Sequence, residues 1–553
     1  MASISDSSSW SSSDANLARE EFHIWPLDEY NIKLLNEVHP KQWISPLQQN
    51  TQGLEDVDDV NTIEYFDFVS IGAGAGGLVS SRQATRRGAK AAMISAYLAG
   101  GDCLNVGCVP SKALIRCARM IREVRKAQLD TSFGVEISGN VRTDFQPIMQ
   151  RMRKLRSTIA PVDGHARGTS IGVTVFQGFG RFVSPNVIEI VPTSSSSHTG
   201  EDKPSQIKPT RILAGKICIS TGGRAFIPQD IPGLLEAPYM THETLFNLQQ
   251  LPPRMIILGS GVIALEMAQT FATFGSQVTV LIRGMRLFPK GDVDAGPVIQ
   301  QALEKCGVTF LTLAQIAKVE TLHSATDELS LPLLRISIKR NANTTMIMDC
   351  ECLLVATGRI ANVDGMNLDV GNVQYDKHEG IIVDDEARSV TNPLVFSVGD
   401  CTAGVPRLTH MSGEMAKVVV QNALFEDTWK LSSLVVPQVM YTEPEMATVG
   451  MLNLPTDQVD VYTSSLEHND RAILDGDTEG YVKIICKKGT GTIIGCTIIA
   501  SRAGEMINEV SLAMKHGITL DGIGRNIHSY PTASEAVMGC GIQFINSKWK
   551  RFG

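Results

Sequence analysis

An α/β fold with two doubly wound units and a smaller α+β domain at the end is predicted by three features of the chain. Two stretches, 66–94 and 255–282, each run as an apolar strand, a glycine turn, a helix and a second apolar strand. After about residue 435 that texture gives way to strands at 481–486 and 492–499 and an amphipathic helix at 503–516. Length agrees: 553 residues exceed one hydrophobic core, and about 150 residues per domain predicts three or four domains.

Residues 1–62 open on a Ser-rich stretch and continue with Trp25, Leu34, Leu35, Val38 and Trp43 among charges. This predicts a disordered tip and then an arm that packs on the body. The strand 66–71 leads into Gly72-Ala73-Gly74-Ala75-Gly76-Gly77, a helix follows over 78–87, and 91–94 is the next parallel strand. Glycines let backbone approach a pyrophosphate whose charge rests at the helix N-terminus, so Gly72, Gly74 and Gly77 in this setting predict a dinucleotide site. A further helix at 147–158 holds Pro147 in its first turn, with basic residues on its outer face. Residues 171–191 alternate as strands do, 192–209 is low in complexity and reads as an extended hairpin loop, and 217–223 is a buried strand that ends in Thr221, Gly222 and Gly223.

In the second unit the strand 255–258 meets Gly259-Ser260-Gly261-Val262-Ile263-Ala264, a helix runs to about residue 274, and the strand 278–282 ends at Arg283. Two such units imply two nucleotides. Arg283, Arg286 and Lys290 stand where an acid would take a free ribose 2′-hydroxyl. Cations there suit a 2′-phosphate, so NADPH is preferred over NADH; the alternative is that these charges only solvate a loop. The strand 353–357 with Gly358 closes this unit, and 394–400 is a buried strand ending in Asp400.

Between the first unit's second strand and the helix after it lies Gly100-Gly101-Asp102-Cys103-Leu104-Asn105-Val106-Gly107-Cys108-Val109-Pro110-Ser111-Lys112. On a regular helix Cys103 and Cys108 would stand roughly 7.5 Å apart along the axis, beyond disulfide reach, so the backbone between them must bend. Pro110 suits the first turn of a helix running to about residue 128. That places Cys108 near its positive end, where thiolate is favoured. A zinc site is the other reading of two cysteines, but no second ligand pair has suitable spacing.

The remaining nine of the eleven cysteines are scattered, which excludes a disulfide-stapled secreted protein. The first thirty residues set Asp6, Asp14, Glu20, Glu21, Asp28 and Glu29 against Arg19, without an apolar run, so secretory and transit signals both fit poorly and the expected compartment is the cytoplasm. No apolar run reaches the length of a membrane span. A net charge of -8 argues against a nucleic acid or an anionic membrane as partner.

With these landmarks in order, residues 63–545 resemble the class I pyridine nucleotide-disulfide oxidoreductases, the family of glutathione reductase, dihydrolipoyl dehydrogenase and mercuric reductase. The resemblance implies an N-terminal extension (1–62), an FAD-binding domain in two parts (63–240 and 363–434), an NAD(P)H-binding domain (241–362) and a dimerisation domain (435–553) of a homodimer. It implies FAD on Gly72, Gly74, Gly77, Thr221, Gly222 and Asp400, and NADPH on Gly259, Gly261, Ala264 and Gly358. It makes Cys103–Cys108 a redox-active disulfide, with Cys108 against the flavin, Cys103 facing the acceptor, and Lys112 and Glu266 paired beside the flavin. Lys112 also reads as a plain surface cation of its helix. Two positions depart from the family. Ser95 stands where a glutamate usually takes both adenosine ribose hydroxyls, and a serine makes one of those contacts. Tyr530 precedes Pro531 where disulfide reductases carry a histidine oriented by the acid at Glu535. Tyrosine titrates near 10, too high to protonate a leaving thiolate well. His528, two residues earlier, reads as structural.

Mercuric reductases resemble the chain at Tyr530. They usually have two adjacent C-terminal cysteines, and this chain has only Cys540 nearby. The expected activity is electron transfer from NADPH through flavin and the cysteine pair to a small-molecule or metal-thiolate acceptor, mercuric-reductase-like. A disulfide reductase or dihydrolipoyl dehydrogenase is the alternative, and a flavin-bound redox sensor without turnover is a third reading.

Overall fold

The computed structural model describes residues 10–11, 14–41, 43, 63–192, 209–289, 291–325, 330–341 and 344–549. The Ser-rich tip, the body of the 192–209 loop and Lys290 lie outside the described residues.

The first sheet is centred on Glu64–Ile71, which pairs in parallel with Ala91–Ser95 on one side and Thr210–Ile219 on the other. Thr174–Gln177 extends it beyond Ala91–Ser95, and Val395–Ser397 joins Thr210–Ile219 in parallel. All five residues of Ala91–Ser95 are buried, as expected for a parallel strand covered on both faces. One face is covered by the helix Ala75–Arg86, which packs against Thr409–Phe425. An antiparallel edge, Phe179–Ser184 with Val187–Val191, completes it, and Val187–Val191 pairs antiparallel with Thr210–Ile219 across the 192–209 connection.

The second sheet is wholly parallel, in the order Val308–Thr312, Gln277–Ile282, Arg254–Leu258, Cys352–Val355. Before its last strand the chain builds a three-stranded antiparallel sheet from Gln315–His323, Leu333–Asn341 and Thr344–Cys350, an insertion with no motif of its own in the sequence. The terminal domain is a five-stranded antiparallel sheet with the helices Ala503–Lys515, Leu520–Arg525 and Glu535–Ser547, joined by a core that includes Val482, Ile484, Ile498, Ile507 and Val537.

The N-terminal segment forms two helices, Ala15–Glu20 and Glu29–Val38, the second capped by Asp28, whose carboxylate accepts from Asn31 N at 2.9 Å. Leu34 and Leu35 are fully buried in one cluster with Leu78, Met93, Leu104 and Val175 of the body. Each contributes roughly 1.5–3 kcal/mol of burial. This arm corrects one expectation. Arg151 and Lys154 of the helix Phe145–Ile159 are exposed, but Arg153 and Arg156 are buried, because the arm covers that face and Asp28 pairs with Arg153 at 2.5 Å.

Candidate active site

The turn after Glu64–Ile71 is tightly closed. Gly72 has φ +113, and a Cβ there would meet Ser220 O at 2.3 Å; a Cβ on Gly77 would meet Gly72 O at 1.9 Å. Only glycine fits, so strand and helix come close enough for backbone to contact a ligand. Gly74 caps the helix without a side-chain hydrogen bond, which leaves its first N–H groups for an anion. Ser95, at the end of Ala91–Ser95, is buried with its hydroxyl donated to Tyr97 O at 3.2 Å. Thr221 donates to Asn362 O at 2.6 Å, and Gly222 beside it has φ +72 and open space around it. Asp400, in the turn Gly399–Cys401, is mostly buried, which raises its carboxyl despite Arg359, whose Nε stands 3.1 Å away.

Arg359 ties this end of the site to the cysteine loop. It pairs with Asp102, donates to Gly223 O at 2.7 Å, and meets His242 Nε2 at 2.6 Å. Burial would raise the Asp102 carboxyl, but His242 and Arg359 outweigh that and hold it low. An ionised Asp102 therefore sits next to Cys103.

The bend required between the two cysteines is present. Cys103 lies on the short helix Gly101–Asn105, the chain breaks at Val106 and Gly107, and Cys108 begins the 22-residue helix Cys108–Leu129. Both cysteines are thiols in this structure. Cys108 Sγ is 3.5 Å from Thr409 Oγ1. A hydrogen bond from the Cys103 thiol, together with Thr409 and the charge of Lys112, outweighs the partial desolvation of this exposed residue and brings Cys108 down to about 6. Sharing that proton and being buried push Cys103 upward. The pair is thus one thiolate and one thiol at neutral pH.

One turn along the same helix, Lys112 Nζ is 2.8 Å from Glu266 Oε2 and 4.7 Å from the centre of the Tyr441 ring. Glu266 is 2% exposed on the helix Val262–Phe274, and its other oxygen accepts from Tyr441 N at 2.9 Å. A cation fixed in this way is a positioned charge, and not a solvated one.

The second glycine turn repeats the geometry of the first. Gly259 has φ +119 with Ala356 O 2.3 Å from its Cβ position, Gly261 caps Val262–Phe274 with nothing within 4 Å, and Ala264 is buried. A cleft of about 1110 Å³ starts at Ser260–Val262 and reaches Met446 and Thr448 of the terminal domain. Arg283 and Arg286 are exposed just beyond Gln277–Ile282, with no ion pair among the described residues. Gly358 follows Cys352–Val355 at φ +146 with open space at its Cβ position.

The tail residues stand apart from this cluster within the chain. Tyr530 is exposed and donates to Asp470 Oδ2 at 2.9 Å, which raises its phenol. Glu535 accepts from Thr532 N at 3.0 Å and does not hold Tyr530. His528 is buried with Nε2 2.7 Å from Glu509 Oε1. Thr409, Tyr441, His242 and the links of Asp102 join the site only in the folded chain and carry no motif in the sequence. Arg359 adjoins the Gly358 turn in sequence and is the one that a motif could have flagged.

Residues 66–416 match the family described as pyridine nucleotide-disulphide oxidoreductase, and residues 436–539 match its dimerisation domain. A dihydrolipoyl dehydrogenase of Bacillus subtilis is 29% identical over 481 residues, 85% of this chain and 96% of its own. A mercuric reductase of Lysinibacillus sphaericus is 29% identical over 507 residues, 91% of this chain and 86% of its own. The mitochondrial dihydrolipoyl dehydrogenase of Pisum sativum is 31% identical over 486 residues, 85% and 90%. Among solved structures, the HOCl-induced flavoprotein disulfide reductase RclA from Escherichia coli covers 85% of this chain and 98% of its own. Its TM-score is 0.70 and its identity 23%, a likeness of fold. Members of the family use FAD and NAD(P)H, and both glycine turns fit such groups. No helix among the described residues is long and apolar enough to cross a membrane. Two nucleotide turns, the cysteine pair between them and these matches together make the chain a member of the pyridine nucleotide-disulphide oxidoreductase family, carrying that family's dimerisation domain.

Proposed function

We propose that the chain passes electrons from NADPH through FAD and the Cys103–Cys108 pair to a thiol-reactive acceptor, in the manner of a mercuric reductase that takes thiolate-bound Hg(II) to Hg(0). The observation that carries the acceptor reading is the tail 527–535. Its one imidazole, on His528, is buried against Glu509, and the residue before Pro531 is Tyr530. A disulfide acceptor needs an acid that protonates a leaving thiolate near neutral pH, and a phenol raised further by Asp470 serves that step poorly. A metal acceptor makes no such demand: NADPH and Hg(SR)₂ give NADP⁺, H⁺, Hg(0) and two thiolates.

When bound, FAD and the nicotinamide nucleotide would supply the hydride transfer that a thiol pair cannot carry out. Gly72, Gly74 and Gly77 would hold the flavin nucleotide's pyrophosphate, with Ser95, Thr221, Gly222 and Asp400 along its length. Gly259, Gly261, Ala264 and Gly358 would hold the nicotinamide nucleotide, with Arg283, Arg286 and Lys290 at a 2′-phosphate. Lys112, oriented by Glu266, keeps positive charge beside Cys108. Cys108 stays as thiolate, while Cys103 meets the acceptor. On closing to the disulfide the pair releases two electrons and the one proton Cys103 holds. In a homodimer, Tyr530 and Glu535 of one copy would face Cys103 of the other.

Relatives named dihydrolipoyl dehydrogenase support a second reading, a disulfide reductase. Steady-state turnover separates the two. Hg(II)-thiolate should be reduced with NADPH in preference to NADH, and lipoamide and glutathione disulfide turned over at least about 100-fold less well. Tyr530→His should raise disulfide turnover. Comparable turnover of either disulfide by the unaltered chain would remove the metal reading.

A further inference from the structure

The N-terminal arm reaches the loop that carries the cysteines. Arg156, on Phe145–Ile159, is fully buried between them. Its Nη1 donates to Asn105 O at 2.5 Å and its Nη2 to Asn31 Oδ1, on the arm helix Glu29–Val38, at 2.7 Å. Its Nε has no partner, and no carboxylate pairs with it among the described residues. A guanidinium buried on two neutral acceptors is costly to hold, but its rigid fork ties the Asn105 backbone to the Asn31 side chain.

Asn105 is the last residue of Gly101–Asn105, between Cys103 and the break at Gly107. Its own amide donates to Ala99 O at 3.0 Å and Gly101 O at 2.9 Å. The arm holds the same loop elsewhere: Val38 O accepts from Ala99 N at 3.0 Å, and His39 Nδ1 lies 3.1 Å from Tyr97 O. Leu104, next to Cys103, shares its cluster with Leu34 and Leu35. Cys103 is thus pinned from behind by the arm and on its other flank by Asp102 through Arg359.

We propose that Arg156, held by Asn31 of the N-terminal arm, is a positioning residue for the thiol pair: it fixes the carbonyl that ends the Cys103 helix and so sets where Cys103 stands relative to Cys108. Resting on the reading of the pair as the electron relay, this makes the arm part of the redox machinery. Of the groups that face Cys108, Lys112, Thr409, Tyr441 and, behind Lys112, Glu266 share no hydrogen bond with Asn31 among the described residues, and Cys103 is the one that the Arg156–Asn105 bridge would move. Asn31 also donates Nδ2 to Pro26 O at 2.6 Å within the arm, so the change that travels through the bridge is the one Asn31→Ala and Arg156→Lys share.

The test is the pH profile of Cys108 alkylation by iodoacetamide in the full-length FAD-loaded protein, reduced with dithiothreitol and read by peptide mass. Asn31→Ala cuts the bridge from the arm side. Arg156→Lys cuts it from the body side, because an ammonium reaches one acceptor. Both are expected to move the midpoint upward by about one pH unit, tenfold in thiolate below it. Asn247→Ala is the control: it severs a different tether of the arm, to Trp25 N and His23 O, and should leave the profile in place. An unchanged profile in Asn31→Ala overturns the proposal even if Arg156→Lys does not fold, and so does an equal shift in Asn247→Ala. Since dithiothreitol replaces NADPH, the result stands apart from turnover. If the pair were no relay, the unaltered enzyme would show no new thiols with NADPH.

Discussion

Three neighbours hold the Cys108 thiol below its ordinary range: the Cys103 thiol, Thr409 and Lys112. A thiol brought from its ordinary 9 to about 6 is mostly thiolate above pH 6 and loses reactivity as pH falls below it. Thr409→Ala removes one of these hydrogen bonds, and the alkylation midpoint of Cys108 should then rise by roughly half a pH unit with the helix Thr409–Phe425 intact. Stopped-flow alkylation across pH 4.5–9 checks it. A midpoint that stays in place would mean that Thr409 only fills space. Thr409 lies 301 positions from Cys108, and its part was invisible in the sequence for that reason. The spacing of Cys103 and Cys108 is local and carries its own geometry, so that part was legible.

At the scale of elements, the two thiols depend on the break between Gly101–Asn105 and Cys108–Leu129. A Cβ on Gly107 would lie 2.8 Å from Asp102 O and 3.2 Å from Asp102 C, both backbone atoms that cannot swing away. Gly107→Ala should therefore push the two helices apart and slow closure of the disulfide by about tenfold or more, since a disulfide tolerates little change in Cα separation. Mass-resolved alkylation after exposure to oxidised dithiothreitol reports the rate. The strand, glycine turn and helix units were readable because each is one contiguous pattern with one physical purpose. The sheet inserted at residues 315–350 was not, because strand alternation does not say which sheet a strand joins. The buried face of Phe145–Ile159 also escaped, because it is set by an arm more than a hundred residues earlier in the chain.

At the scale of the whole molecule, the arm joins the first nucleotide unit to the loop leading into the second, and two buried histidines mark where it docks. His39, on the arm, is lowered by burial to about 4, and His165 by burial and the neighbouring His39 to about 3. Both are neutral in the fold and titrate at about 6.5 once unfolded, so below pH 6.5 the unfolded chain binds protons that the folded one refuses. Stability is full above 6.5 and falls as pH drops toward 4, by about 1.4 kcal/mol per pH unit for each histidine. Thermal unfolding between pH 8 and 5 should show this loss, and His165→Leu should flatten it. Whether electrons from NADPH arrive at one thiol pair is read by counting thiols. The FAD-loaded chain is oxidised, treated anaerobically with one equivalent of NADPH, alkylated and mapped by peptide mass. Two newly labelled residues, Cys103 and Cys108, are expected. Label appearing on any other of the eleven cysteines, or no gain over the untreated protein, would contradict that expectation.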